Sequence, residues 1–160
     1  MDIKTIQGNI VDEAEFGGYD VILHNCNCQR RMGSGVARSI AEAWPEAAAA
    51  DQNTPISKSK LGTFSKATIE RGDVVFDVYN LYGQWRYGPH WERHFDLAAF
   101  NLALEAVAED LKDAKRPMNI LFPPMGAGSA GGNWNAIVSA ILTHLGQHNL
   151  TLITLPRRRK

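Results

Sequence analysis

Residues 19–44 read YDVILHNCNCQRRMGSGVARSIAEAW, and this stretch decides the fold. It opens with an apolar run at residues 19–23, passes through a glycine-containing loop at residues 32–35, and then repeats apolar residues at helical spacing until Pro45. Because proline disfavours the helical conformation in the residue before it, the helix is predicted to end there. The stretch therefore predicts a buried strand, a glycine loop and a helix in direct succession.

A second unit of the same kind lies later in the chain. Residues 119–122 (NILF) predict a short buried strand, residues 123–132 (PPMGAGSAGG) a second glycine loop, and residues 134–145 a helix with Asn133 as its N-cap. The other predicted elements are strands at 3–6 and 150–155, an antiparallel pair at 63–69 and 74–81, and helices at 45–53 and 94–115. Strands that alternate with helices predict a three-layer α/β/α fold with a mixed, mostly parallel central sheet.

Length and charge limit the kind of partner. The 160 residues fit one domain, expected at residues 1–156, with a basic tail at residues 157–160. The chain has 17 basic and 17 acidic residues; four basic ones lie in the tail, which leaves 13 against 17 and a net charge of −4 on the body. This balance disfavours nucleic acid or a membrane as the partner and favours a small ligand. Two cysteines and no apolar export segment predict a reduced, cytoplasmic chain, which we expect to be a monomer.

The two glycine loops are the candidate ligand-binding elements. Both follow strands whose carboxyl ends should lie on the same edge of a parallel sheet, so we expect the loops at one rim. Glycine lets a ligand approach the backbone amides, and a helix N-terminus attracts anions, so the predicted guest is a phosphate or diphosphate. The alternative is that the glycines only make tight turns. The loops have neither the Gly-Lys-Ser/Thr of a P-loop nor a complete dinucleotide fingerprint, which disfavours nucleotide hydrolysis and hydride transfer.

Four segments in order resemble the macrodomain, an ADP-ribose-binding α/β module. They are residues 8–10 (GNI), residues 23–37, residues 78–84 (VYNLYGQ) and residues 124–134 (PMGAGSAGGNW). Within the second segment, the His-x-Cys-Asn and Met-Gly-x-Gly patterns are most similar to the branch that contains ADP-ribose 1″-phosphate phosphatases and terminal ADP-ribose protein hydrolases.

The resemblance implies ADP-ribose or ADP-ribose 1″-phosphate as the ligand, ADP-ribosylated protein as a further candidate partner, and no cofactor or metal. Asn9 takes the place of an aspartate that accepts a hydrogen bond from the adenine amino group; its carbonyl could accept that bond without charge assistance. Tyr79, Tyr82 and Trp85 either cover the ligand or pack in the core. The implied ligand-binding residues are Gly8, Asn9, Ile10, Met32, Gly33, Ser34, Gly35, Val36, Asn80, Gln84, Met125, Gly126, Ala127, Gly128, Ser129, Ala130 and Gly131.

The candidate catalytic residues are His24 and Asn27. The same branch implies a lysine in the first helix and an aspartate in the second loop for removal of ADP-ribose, but residues 36–42 contain no lysine and Ala130 stands at the aspartate position. His24, expected at the end of a buried strand and titrating near neutrality, would act as nucleophile or acid, with Asn27 orienting substrate or water. This predicts metal-free hydrolysis of ADP-ribose 1″-phosphate to ADP-ribose and phosphate.

Three other interpretations stay open. His24 could be a satisfied core histidine, the chain could bind ADP-ribose without catalysis, or it could hydrolyse ADP-ribosyl-protein with a different set of residues. His90 and His94 lie four apart, as metal ligands on a helix do, but the motif is not His-Glu-x-x-His and no third ligand is evident.

Overall fold

Strands and helices alternate along most of the chain. The computed structural model describes residues 2–88, 94–127 and 132–156. In chain order the elements are β1 (Ile3–Gln7), α1 (Ile10–Phe16), β2 (Val21–Asn27), α2 (Gly35–Ala43), α3 (Pro45–Gln52), a 3₁₀ turn (Lys58–Lys60), β3 (Phe64–Arg71), β4 (Val74–Gln84), α4 (Leu97–Asp110), β5 (Asn119–Phe122), α5 (Trp134–Leu145) and β6 (Asn149–Thr154).

The strands form one six-stranded sheet in the order β1-β6-β5-β2-β4-β3. Neighbouring strands are parallel from β1 to β4, and β3 alone runs antiparallel to its partner β4. The β3–β4 hairpin turns through Gly72, whose φ of 60° lies in the left-handed region that favours glycine. The predicted mixed, mostly parallel sheet is confirmed.

Helices cover both faces of the sheet. Along β2, Val21 and Leu23 pack with α4 and α5, whereas Ile22 between them packs with α1, α2 and α3. The same alternation of faces continues in β5, where Ile120 and Leu121 belong to different clusters. Apolar residues on both sides of the strands explain why these segments read as continuous hydrophobic runs. The three-layer α/β/α arrangement is confirmed.

Helix α1 was not predicted from the sequence. It has seven residues, too few for its apolar periodicity to stand out, and it begins because the Asn9 side chain accepts hydrogen bonds from the backbone N–H of Val11 (2.9 Å) and Asp12 (3.2 Å). None of the helices in the described part of the chain has the length and apolar character needed to cross a bilayer.

Several predicted boundaries were wrong, those of β2 and α4 most of all. Strand β2 continues through Asn27, because the polar side chains beyond Leu23 find partners inside the protein and the backbone keeps pairing with β4. Helix α4 begins only after Asp96, whose carboxylate accepts from the N–H of Ala99, and it ends at Asp110 instead of reaching residue 115. Because β2 is longer than predicted, His24 and Asn27 lie within the sheet and not just beyond the end of a strand.

Candidate functional site

A cavity of about 740 Å³ opens at the carboxyl edge of the sheet, between the loops that follow β2 and β5. These strands are parallel neighbours, so both loops leave the sheet on the same side. The described residues that line the cavity are His24, Asn25, Cys26, Asn27, Arg31, Ser34, Gly35, Val36, Ala37, Gln84, Tyr87, Gly88, His94, Pro123, Pro124, Met125 and Gly126. The expectation that the two glycine loops lie at one rim is confirmed for those of their residues that the structure describes.

Part of the predicted site lies in this wall. Both candidate catalytic residues and six of the implied ligand-binding residues line the cavity, the latter being Ser34, Gly35, Val36, Gln84, Met125 and Gly126. The sequence analysis missed Asn25, Arg31, Tyr87 and His94. Asn25 and Arg31 could have been found as polar neighbours of the first loop, whereas Tyr87 and His94 lie in a segment with no motif.

Other predicted residues are placed elsewhere. Gly8, Asn9, Ile10, Met32, Gly33, Asn80 and Ala127 are not among the described residues that line the cavity. Ile10 and Asn80 are buried, and Met32 packs against the core beneath α2. Gly128, Ser129, Ala130 and Gly131 lie outside the described residues, as do His90 and the tail at residues 157–160.

The side chain of Asn9 does not offer its oxygen to a ligand. Its Oδ1 already accepts the two helix N–H groups at the start of α1, which fills both lone pairs of a carbonyl oxygen. The expectation that this oxygen accepts from an adenine amino group is therefore corrected: the side-chain group left for other partners is the Nδ2 donor.

The N-terminus of α2 forms the positive side of the cavity. Gly35 has a φ of 59°, and Ser34 precedes the helix without a side-chain capping bond. The first N–H groups of α2 therefore keep their hydrogen-bonding capacity next to the cavity, at the positive end of the helix dipole. Arg31, a basic residue, belongs to the same wall. This side of the cavity suits an anion.

His24 lies deep in the wall, only 2% exposed, and its Nε2 is 2.5 Å from Oδ1 of Asn80. The amide of Asn80 has a fixed orientation, because its Nδ2 donates to the carbonyl of Ala47 and to the hydroxyl of Ser65, both at 3.0 Å. Oδ1 can only accept, so Nε2 of His24 carries a proton and donates it. The imidazole is thus held as the Nε2–H tautomer, and the Cys26 sulfur lies beside the ring, 3.6 Å from Nδ1 and 3.5 Å from Nε2.

Burial lowers the pKa of His24 to about 4, although the hydrogen bond with Asn80 opposes this shift. The expectation of an imidazole that titrates near neutrality is wrong, because the buried side chain cannot easily solvate a charge. At neutral pH His24 is uncharged, with a lone pair at Nδ1 and its single N–H proton committed to Asn80, so it is not the imidazolium that a general acid needs. Burial also raises the pKa of Cys26 well above its ordinary value, so its thiol stays protonated.

Asn27 holds its own loop. Its Nδ2 donates to the carbonyl of Arg31 (2.9 Å), and its Oδ1 accepts from the N–H of Gln29 (3.0 Å). These two bonds close the turn that follows β2 and set the position of the first glycine loop. The side chain has less capacity left to orient a substrate than its place in the sequence suggested.

A chain of polar side chains runs from Asn80 into the protein behind the cavity. Ser65 lies 2.7 Å from the hydroxyl of Tyr82, and that hydroxyl donates to Oδ1 of Asp51 at 2.7 Å. Asp51 is 1% exposed, and burial raises its pKa. Tyr79 and Tyr82 are themselves fully buried, so the suggestion that they cover a ligand is wrong and the alternative of core packing holds.

Phe95 shapes the second glycine loop. A Cβ on Gly126 would lie 2.5 Å from Cδ2 of Phe95, and a Cβ on Gly132 would lie 2.5 Å from Cδ1. The two glycines thus lie against the ring, and the N–H of Gly132 donates to the carbonyl of Gly126 at 2.6 Å. Phe95 is fixed in turn by a β-bridge to Gln84 and by ring packing on Phe100. The glycines are needed here for close packing as well as for turning.

One curated relative is similar over nearly the whole chain. It is an uncharacterized 17.5 kDa protein from the tk-vs intergenic region of Enterobacteria phage T4, 33% identical over 157 residues, which are 96% of each chain. No model of a known protein family matches this chain.

Solved macrodomain structures share the fold. The macrodomain of Mycobacterium tuberculosis DarG superposes with a TM-score of 0.70 at 18% identity and covers 98% of this chain and 99% of its own. Thermosipho africanus DarTG in complex with ADP-ribose superposes with a TM-score of 0.63 at 17% identity, covering 92% of this chain and 41% of that one. The chain therefore belongs to the same family as the phage T4 protein, and it has the macrodomain fold.

Proposed function

We propose that this protein binds ADP-ribose in the cavity between its two glycine loops. The observation that carries the proposal is that the N-terminus of α2, free of a side-chain cap, and the basic residue Arg31 both line a cavity of about 740 Å³, within the ordinary range for a small-molecule site. An elongated ligand with a central diphosphate matches a cavity that is positive at one wall and apolar at Val36 and Met125. The DarTG structure with bound ADP-ribose supports the choice of ligand.

Calorimetric titration tests the proposal. ADP-ribose is expected to bind with one site per chain, and AMP and NAD more weakly, since AMP lacks the diphosphate and the second ribose and NAD carries a bulky group on that ribose. Substitution of Arg31 by Gln should weaken ADP-ribose without changing unfolding. Equal binding of all three ligands, or none, would refute the proposal.

A second candidate is hydrolysis of ADP-ribose 1″-phosphate, favoured by a neutral His24 that lines the cavity and whose Nε2 is engaged with Asn80, which leaves Nδ1 unprotonated. In this reaction Nδ1 would attack phosphorus, the bond to the ribose oxygen would break, and that oxygen would take a proton from water. A second water would then cleave the phosphorus–nitrogen bond and release phosphate. The neutral tautomer fits a nucleophile, whereas the role of acid would need a proton that burial removes.

Incubation with ADP-ribose 1″-phosphate and, separately, with glutamate-ADP-ribosylated protein separates the alternatives. Phosphate release that disappears in H24A while ADP-ribose binding persists would support the phosphatase. ADP-ribose release from protein would indicate the hydrolase, and binding without turnover would indicate a reader of ADP-ribose. Undiminished phosphate release by H24A would exclude His24 as nucleophile.

A further inference from the structure

Three loops beside the cavity mouth carry positive charge and no acidic side chain. They comprise residues 27–37, 52–62 and 84–88, and we call this surface the basic rim. Arg31 and Lys58 are exposed, Arg30 is half-buried, and Lys60 is buried with its ammonium donating to the hydroxyl of Thr54. The rest of the body carries more acidic than basic residues, since residues 1–156 have a net charge of −4 even with these basic loops included. Charge of one sign is thus gathered at one place on an otherwise acidic body.

The three loops form one surface because they are bonded to one another. Gln52 donates to the carbonyl of Arg30 (2.9 Å), and Gln29 donates to the carbonyl of Trp85 (2.9 Å). The ammonium of Lys58 lies 5.8 Å from the centre of the Trp85 ring, and this contact joins the loop of residues 52–62 to that of residues 84–88. The carboxylate of Asp51, buried directly before the 52–62 loop, already interacts electrostatically with Arg30 and Lys60, so Arg31 and Lys58 are the exposed cations on which the inference below depends.

From this arrangement we infer that the basic rim binds a short acidic segment of a partner polypeptide. Guanidinium groups pair with carboxylates in a bidentate geometry, and several such contacts at one rim suit neighbouring Asp or Glu side chains. Arg31 and Tyr87 belong both to the rim and to the cavity wall, so the segment would lie across the cavity mouth. The inference goes beyond ADP-ribose binding and can be tested without that ligand.

The charge pattern favours a polypeptide over nucleic acid. A nucleic acid strand carries charge along its whole length and would run from the rim onto the acidic body, where it is repelled. Single-stranded nucleic acid also uses open aromatic faces for stacking, but Lys58 lies over the Trp85 ring, which leaves Tyr87 as the exposed aromatic of these loops. A short peptide can place its carboxylates on the rim and end there.

Fluorescence anisotropy with a labelled oligoglutamate peptide tests the inference. The wild type should bind the peptide at low salt and release it as salt screens the charges. The double variant R31Q/K58Q should bind about tenfold more weakly, as expected for the loss of two exposed charge contacts. The control K4Q/R38Q removes one Lys and one Arg outside these loops and should keep wild-type affinity.

Three results would overturn the inference. In the first, the wild type does not bind the peptide. In the second, R31Q/K58Q and K4Q/R38Q weaken peptide binding equally. In the third, an oligothymidylate with as many charges as the peptide binds more tightly than the peptide does. Because no ADP-ribose is present, these results leave the proposed ligand binding untouched. A failure of ADP-ribose to bind in calorimetry would likewise leave the rim measurement intact.

Discussion

Substitution of Gly126 by Ala should both destabilise the protein and disturb the cavity. Gly126 has a φ of 73°, which costs an L-residue about 1–2 kcal/mol. The added Cβ would also lie within 2.5 Å of Phe95 Cδ2 and 2.9 Å of Cζ, and overpacking of this kind typically costs about 1–3 kcal/mol. Because Phe95 is also held by Gly132 and Phe100, the ring has little room to move away.

The expected total is a loss of about 2–5 kcal/mol in the free energy of unfolding. In a chain of this size, that corresponds to a fall in Tm of roughly 10 °C. Urea unfolding gives the free energy, and calorimetric titration with ADP-ribose on the folded variant should show weaker binding than the wild type, because Gly126 lines the cavity.

Two other glycines provide matched controls. Gly72 has a φ of 60° and Gly35 a φ of 59°, and a Cβ at either position meets no atom within 4 Å. G72A and G35A should therefore lose only the backbone contribution of about 1–2 kcal/mol. Of these two, only G35A should also weaken ADP-ribose, since Gly35 lines the cavity and Gly72 lies in the β3–β4 turn. If G126A is no less stable than G72A, the packing of Phe95 on the second loop has been misread.

Two more predictions concern the buried polar groups. Since burial lowers the pKa of His24 to about 4 from 6.5, the unfolded chain takes up a proton first as pH falls, and stability drops below pH 6.5. Between pH 7.5 and 5 urea unfolding should show a loss of about 2 kcal/mol from this residue that is missing in H24Q; equal pH dependence in both proteins would contradict the buried neutral state. Y82F should cost about 1–3 kcal/mol, because it removes the donor to the buried Asp51, whereas Y79F should cost less, because Asp110 is exposed; the reverse order in urea would count against the network.

The fold could be predicted because its signal is local. The strand, glycine loop and helix in residues 19–44 and their counterpart in residues 119–145 each fit within a short window. Both fix the direction of a parallel strand and the side on which its loop emerges. The layers and the shared rim follow from that direction alone, without knowledge of any contact between distant residues.

The site was only partly predictable because its polar groups find distant partners. The sequence places His24 at a strand end, yet burial keeps it neutral, and its orientation is set by Asn80, 56 residues away, which is itself fixed by Ser65 and Ala47. Neither the depth of burial nor that pairing can be seen in the sequence, so the direction of the pKa shift could not be predicted from it. Tyr87 and His94 reach the cavity through the bridge between Gln84 and Phe95, which no motif announces.

Backbone groups and side chains have different roles at this site. In the proposed binding mode the groups that meet the diphosphate are mostly N–H groups, which any sequence supplies, whereas Asn27 and Phe95 hold the two loops in place. Change at most lining side chains should therefore alter affinity modestly. Change at Asn27, which lines the cavity and also closes the first loop, or at Phe95, which is not among the described lining residues, should alter it more. A relative that keeps the two supports and the close glycines could thus keep the site while differing at most of the wall.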